Sequence, residues 1–185
     1  MGVTREDAWA LLTEYTTGES LRKHALAVEA AMRHHAARLG EDVEVWGAVG
    51  LVHDFDYERW PTAADHPARG MEILRERGWP EDVVEAVGSH AAYTGIPRNT
   101  PLRKALFAVD ELCGFLMAVA YVRPTRSLAD VEVASVRKKM KDKAFARAVS
   151  RDDIVRGAEE FGLTLEESIE HCLWALRGAA PALGL

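Results

Sequence analysis

Several features that mark particular classes of protein are scarce in this sequence. Only two cysteines, Cys113 and Cys172, occur among 185 residues. Two cysteines in apolar helical contexts cannot build a disulfide framework, and they suit a reducing compartment. The first residues contain no basic stretch followed by an apolar run, so we expect no signal peptide. The sequence therefore predicts a cytoplasmic protein.

An excess of positive charge is also absent. The net charge of −6 argues against nucleic acid or an anionic membrane as the main partner. The one long apolar run, Ala105 to Val122, carries Asp110 and Glu111 near its middle. Each of these charges would cost about 2.5–3.5 kcal/mol at the centre of a bilayer. We therefore expect no membrane partner, and we interpret the run as a buried helix.

Alternating strand patterns are lacking too, and apolar residues recur at helical spacing along nearly the whole chain. Repeats, low-complexity tracts and flexible linkers are not seen, so residues 1–185 are predicted to form a single all-α domain. The helix ends follow Gly and Pro signals. The predicted helices include Ser20–Leu39, one through Gly47 that stops at Pro61, Asp65–Arg77, Glu81–Ala91, Pro101–Val122, and a last one ending near Gly178.

What the sequence does contain is a set of polar residues on apolar helix faces. His24, His90 and Asp110 each lie on such a face, and His53 and Asp54 directly follow an apolar run. An unpaired buried carboxylate would cost several kcal/mol. A single inward histidine is usually a hydrogen-bonded core residue, but five such residues without a matching buried Lys or Arg favour a metal site. Imidazole and carboxylate ligands suit Mn, Fe, Co, Ni, Zn or Mg.

The order of these residues resembles the HD superfamily of metal-dependent phosphohydrolases. His24 stands in "LRKHALAVE", His53-Asp54 in "GLVHDFD" and Asp110 in "LFAVDEL". Two further histidines fit the branch of the family that holds two metals, in "DHPARGMEIL" and "VGSHAAYTG". The resemblance covers roughly residues 20–124, which would be the HD core. It implies an HD helical bundle on which the C-terminal helices 125–185 pack.

The resemblance also implies a ligand set and a reaction. One or two divalent ions would activate a water that cleaves a small phosphoester, nucleotide-like or a phosphorylated metabolite. Asp54 would bridge the two ions and thereby take part in catalysis. The implied ligands are His24, His53, Asp54 and Asp110 for one ion, and Asp54, His66 and His90 for the other.

The chain departs from the family pattern at positions that bear on the substrate. Where members with a firm second site carry paired histidines, this chain has His90 followed by alanine. Three residues after the motif aspartate stands Tyr57 rather than the Lys or Glu of known branches, so no substrate assignment carries over. Asp56 and Glu58 beside it are candidates to pass a proton to the leaving group. Tyr57 is a candidate to line the pocket.

Candidate phosphate contacts lie in two basic stretches, and the sequence does not choose between them. One includes Arg98, at the approach to the helix of Asp110. The other is the run "SVRKKMKDKAFAR" with Lys139, although a solvated helix face is the favoured interpretation of that run.

Two other functions remain open at this point. A non-catalytic module that binds a metal or a nucleotide would fit the absence of a second histidine after His90. A di-iron oxygenase of HD type would use the same ligands. A small phosphorylated molecule is the expected partner in the hydrolase reading, and a homodimer is left open.

Overall fold

The computed structural model describes residues 3–185, and within that range the chain is helical, without a strand. The predicted all-α class is confirmed. Two short 3-10 turns, Ala92–Thr94 and Leu128–Asp130, separate longer elements. The α-helices are α1 (Arg5–Tyr15), α2 (Glu19–Leu39), α3 (Val43–Val52), α4 (Ala68–Glu76), α5 (Glu81–Ser89), α6 (Pro101–Tyr121), α7 (Val133–Met140), α8 (Arg151–Phe161) and α9 (Leu165–Leu183).

The helix ends are set by local side chains. The Asp42 carboxylate accepts hydrogen bonds from the first backbone amides of α3, and the Thr100 hydroxyl does the same for α6, where Pro101 is the first helical residue. These caps satisfy amides that have no partner inside the helix. Helix α2 ends at Gly40, whose φ of 73° is the left-handed conformation that glycine adopts without strain.

Helices α2 and α6, each 21 residues long, form the centre of the bundle. Helix α2 packs against α3, α6 and α9, while α6 packs against α8. Two glycines permit close approach of helix backbones. A Cβ on Gly50 of α3 would lie 2.9 Å from the backbone of Glu29, and one on Gly157 of α8 would lie 2.7 Å from Cα of Ala108. The elements that carry the candidate ligands are thereby held together.

Some predicted helix ends were wrong. The helix expected to reach Pro61 ends at Val52, because the amides of Phe55, Tyr57 and Arg59 bond to carbonyls three residues earlier and form successive tight turns. Its apolar pattern does not distinguish such turns from a helix.

Three other ends differ. Helix α4 begins at Ala68 rather than Asp65, and α5 stops at Ser89. Helix α9 continues past Gly178 to Leu183, because the left-handed glycine that ends it is Gly184.

None of the helices in residues 3–185 has the length and hydropathy that crossing a bilayer requires.

Candidate metal centre

The polar residues on the inward helix faces meet at one place. Side chains from α2, α6, the turns between α3 and α4, and the end of α5 approach one another there. Two groups form, and in each group one ligand atom from every member lies within 4.8 Å of the others. The groups are His24, His53, Asp54 and Asp110, and Asp54, His66 and His90.

The first group joins α2 and α6 to the end of α3. His24 Nε2 lies 3.0 Å from Asp110 Oδ1. His53 Nε2 lies 3.4 Å from the same Asp110 oxygen and 3.5 Å from Asp54 Oδ2. The His53 side chain is fully buried, whereas the two aspartates keep a small exposed fraction. The group thus lies at the bottom of an opening to solvent.

The second group uses the other oxygen of Asp54. Asp54 Oδ1 lies 3.2 Å from His66 Nε2 and 3.1 Å from His90 Nε2. The two Nε2 atoms are themselves 3.2 Å apart. Asp54 therefore faces one group with each of its carboxylate oxygens, which is the arrangement of a bridging ligand.

Two of the buried imidazoles, those of His53 and His90, are oriented by bonds at their other nitrogen. His53 Nδ1 donates to the Gly50 carbonyl at 2.8 Å, and His90 Nδ1 donates to the Val87 carbonyl at 2.5 Å. Since a carbonyl only accepts, Nδ1 carries the proton and the neutral ring presents its Nε2 lone pair to the centre. This is how second partners orient metal-binding histidines.

An unpartnered ring nitrogen supports the fit of these residues to a cation. Nε2 of His53 is buried and has no hydrogen-bond partner within the described residues. Nε2 of His66 and Nε2 of His90 face each other at 3.2 Å, and two neutral rings in this position would repel unless a proton or a cation lies between them. Nitrogen and carboxylate oxygen together suit a divalent transition ion. HD domains bind divalent metals, and these groups could hold one.

The pKa shifts indicate the same need for positive charge. Burial alone would lower the pKa of His53, but Asp54 and Asp110 raise it well above its ordinary value. Burial also opposes the hydrogen bonds of Asp54 and Asp56, which nevertheless raise the pKa of His66 to about 9. Despite burial, the surrounding histidines keep the pKa of Asp54 well below its usual range. The carboxylates thus stay ionised, with protons or a cation opposite them.

A cavity of about 490 Å³ opens above both groups. Tyr57 and Tyr93 lie on its wall near His66, and the Tyr93 hydroxyl donates to the His66 carbonyl at 2.8 Å. The opposite wall comes from Glu111 on α6 and from the chain leading into α8. The size suits a small molecule.

The two proton-transfer candidates do not face this cavity. Asp56 is fully buried and accepts bonds from His66 Nδ1 (2.8 Å) and the Gly70 amide (2.9 Å), so its place is behind His66. Glu58 accepts bonds from Thr17 and from the Gly18 amide, at the start of α2. Because the chain turns after Val52, alternate residues here point to different surroundings.

Of the candidate substrate contacts, the structure brings only Tyr57 to the cavity. The Arg98 guanidinium pairs with Glu160 at 2.6 Å and covers the ring of Phe107 at 3.7 Å. Lys139 lies over Phe145 and borders a different depression. Partners elsewhere on the chain hold both cations.

Two acidic residues on the cavity wall were missed by sequence reasoning. Glu111 follows Asp110 directly, and its carboxylate accepts a bond from the Ser150 amide at 3.0 Å. Burial and the charge of Asp110 raise the pKa of Glu111 to about 7. Asp153 is on α8, 43 residues further along the chain than Asp110. Adjacency to Asp110 is a signal for Glu111, whereas nothing in the sequence indicates Asp153.

A helical bundle with histidines and aspartates gathered from several helices defines a class of metal-binding helical proteins. Comparison with known families agrees, since the sequence model of the HD domain matches residues 21–114. The chain belongs to the HD domain family. HD domains form a superfamily of metal-dependent phosphohydrolases.

A curated relative also matches. Ribonuclease Y from Desulfotalea psychrophila is 29% identical over 145 residues, which are 73% of this chain and 26% of that protein. The chain thus spans about a quarter of that relative's length. No solved structure matches the chain.

Proposed function

We propose that this protein is a phosphohydrolase that cleaves a small phosphoester with the help of one or two divalent ions. The observation that carries the proposal is the position of Asp54, whose two oxygens face two separate groups of ligand atoms. A single structural metal needs no such shared carboxylate. A bridging carboxylate is typical of two-metal sites that carry out displacement at phosphorus.

The protein side chains would divide the work by position. His24, His53 and Asp110 would hold one ion together with Asp54, while His66 and His90 would hold the other. Bound ions would supply an activated water and offset negative charge on the phosphoryl group. The Asp56 carboxylate keeps the His66 ring in its ligating orientation through the Nδ1 bond. Tyr57 and Tyr93 limit the access of solvent beside His66.

The HD match ends at residue 114, but the cavity wall includes residues beyond it. We infer that residues 125–185 act as part of the same domain, since α8 packs on α6 and Ser150 bonds to Glu111. The relative's name denotes action on RNA. This cavity has no Lys or Arg on its wall, which favours a small phosphoester over a polynucleotide.

The decisive experiment removes the shared ligand. Asp54→Ala should lose bound metal and abolish hydrolysis of p-nitrophenyl phosphate or bis(p-nitrophenyl) phosphate in the presence of Mn²⁺ or Mg²⁺. Metal content is measured by elemental analysis of freshly purified protein, and folding by circular dichroism. Asp65→Ala is the matched control, because Asp65 lies in a nearby turn and pairs with Arg69 at the surface.

Full activity in Asp54→Ala would refute the site. Assays without oxygen distinguish the phosphohydrolase from an oxygenase that would use the same ligands. Hydrolysis with Mn²⁺ under anaerobic conditions supports the phosphohydrolase. Oxygen consumption by iron-loaded protein, without phosphoester cleavage, would identify an oxygenase. Tight binding of a nucleotide without turnover of any ester would identify a binding module.

A further inference from the structure

We propose that the cavity selects phosphoesters whose non-phosphate part carries an ammonium group, and that Glu111 is the residue that recognises it. The inference rests on the proposed function and names the substrate class of the same site. It begins from the charges on the cavity wall. The acidic residues there are Asp54, Asp110, Glu111 and Asp153, and the wall has no Lys or Arg.

Two arginines close to this wall, Arg156 and Arg98, are already engaged. Arg156 pairs with Asp153 at 2.5 Å, and its guanidinium lies 4.9 Å from the ring centre of Phe107. Arg98, which precedes α6, pairs with Glu160 of α8. Asp153 is therefore compensated in part, and neither arginine is free to bind a substrate phosphate. Bound ions remain as the source of positive charge for the phosphoryl group.

Glu111 differs from the other three acids of the wall. Asp54 and Asp110 belong to the ligand groups, and Asp153 has Arg156. The Glu111 carboxylate accepts one hydrogen bond, from the Ser150 amide, and it has no Lys, Arg or His partner within 4.0 Å in the part of the chain that the structure describes. It is half-buried at the edge of the cavity. A carboxylate in this position lacks a counter-charge that a ligand can provide.

The surroundings of Glu111 define the shape of that ligand. Gly114, Ala148 and Val149 lie on the same side of the cavity and offer small, mostly apolar surfaces. A phosphoryl group at the ligand groups would therefore be followed by a short alkyl arm along these residues. An ammonium at the end of the arm meets Glu111, whereas further phosphates would meet Glu111 and Asp153 and be repelled.

The test compares two substrates that differ only in the terminal group, 2-aminoethyl phosphate and 2-hydroxyethyl phosphate. They are used as monoesters if the protein cleaves p-nitrophenyl phosphate, and as their p-nitrophenyl diesters if it cleaves bis(p-nitrophenyl) phosphate. At pH 8.5, above the pKa of about 7 of the Glu111 carboxyl, the wild-type protein should favour the amine by about 10-fold or more in kcat/KM, which is the scale of a charge-assisted hydrogen bond.

Glu111→Gln keeps an oxygen for the Ser150 amide and removes the charge. The ratio of kcat/KM between amine and alcohol should fall towards 1, chiefly through a higher KM for the amine. Glu159→Gln, an equal loss of charge on the exposed face of α8, should leave the ratio at its wild-type value. A general loss of packing would lower kcat/KM for both substrates alike and leave the ratio unchanged.

Two results would overturn the inference alone. One is a wild-type ratio near or below 1 in a protein that cleaves the p-nitrophenyl ester. The other is a ratio that Glu111→Gln leaves intact. Absence of cleavage of every ester with every metal tested would instead contradict the proposed function, and the inference with it.

Discussion

At the scale of single residues, the direction of each imidazole decides what the centre can bind. The side chains of His53, His66 and His90 each use Nδ1 on an oxygen and leave Nε2 towards Asp54. Two of those oxygens are backbone carbonyls, which no side-chain substitution removes. The third belongs to the Asp56 side chain. Of these three Nδ1 partners, Asp56 is therefore the one that a substitution can remove.

Asp56→Asn should weaken metal binding at the His66 and His90 group by about 10–100-fold, the usual effect of losing such a partner. The amide has one accepting oxygen for two donors, His66 Nδ1 and the Gly70 amide, so its NH₂ opposes one of them. Metal titration followed by calorimetry measures the change. Asp65→Asn should bind as the wild type does, and equal affinity in Asp56→Asn would refute the orienting role.

The sequence predicted which residue types converge, but not every role. The helical stripes placed His24 and Asp110 on inward faces, and the structure brings these side chains to 3.0 Å. The sequence made Asp56 a candidate for proton transfer from its place beside Tyr57, two residues after Asp54. The turns after Val52 point Asp56 into the core instead. Turn direction depends on tertiary contacts such as the Gly70 amide, which is 14 residues away.

At the scale of helices, contact between α6 and α8 determines one wall of the cavity. Gly157 lets α8 approach α6 closely, and Ser150 at the start of α8 bonds to Glu111 on α6. A glycine inside a helix normally costs about 0.5–1 kcal/mol relative to alanine. The close approach explains why glycine is nevertheless suited to this position.

Gly157→Ala should lower the free energy of unfolding by about 1–3 kcal/mol, because the added methyl would lie 2.7 Å from Cα of Ala108. Urea denaturation measures the change. Gly178→Ala in α9 is the matched control, since its Cβ meets no atom within 4 Å. That variant should be neutral or stabilised by up to about 1 kcal/mol. A stabilised Gly157→Ala would contradict the packing argument.

The helices themselves were largely predictable, and their ends were less so. Apolar periodicity and caps placed α2 and α6 to within one residue. Gly178 reads as a stop signal, yet α9 passes through it because the residue keeps helical geometry and Gly184 takes the left-handed turn. A glycine in the sequence therefore does not by itself mark the end of a helix.

At the scale of the whole molecule, a second cluster of histidines lies far from the metal centre, between α2 and α9. His34 and His171 contact each other at 3.1 Å, and the His35 ring packs edge-on against Phe161. His35 is buried, and neither of its ring nitrogens has a hydrogen-bond partner within the described residues. Burial, with His34, His171 and Arg38 nearby, lowers the pKa of His35 to about 3.

The contribution of His35 to stability should consequently fall in mild acid. Between pH 6.5 and 3 the unfolded chain binds a proton at His35 and the folded chain does not, so the free energy of unfolding decreases as the pH falls. From pH 6.5 to pH 5 the loss is about 2 kcal/mol, at about 1.4 kcal/mol per pH unit. Urea denaturation of the wild type and of His35→Leu at pH 7.5 and pH 5 isolates this contribution, because the raised pKa values of His66 and Glu111 change stability in the opposite direction over the same range.

Relative to the wild type, His35→Leu should shift the difference in unfolding free energy between pH 7.5 and pH 5 by about 2 kcal/mol in favour of pH 5. Loss of the unpaired nitrogens should leave stability at pH 7.5 similar or higher. His34 lies on the same helix but is half exposed, so His34→Gln should shift the difference in unfolding free energy between the two pH values less. An unchanged difference in His35→Leu would show that the imidazole is charged in the folded protein.

The all-α class was predictable at this scale, because helical spacing runs through the whole chain. Which helices become neighbours was not, since α2 contacts α9 across more than 120 residues of sequence. The basic stretches show the same limit. Arg98 and Lys139 looked available for phosphate, but their partners Glu160 and Phe145 are visible only in three dimensions.

One consequence concerns how such a site diversifies. Every candidate ligand lies between residues 24 and 110, while Ala148, Val149 and Asp153 supply part of the cavity wall from outside the HD match. Mutations in this later segment reshape what enters without displacing a single ligand atom. Exchange of this C-terminal segment between homologous chains is therefore a route to new substrate selectivity with an unaltered set of candidate metal ligands.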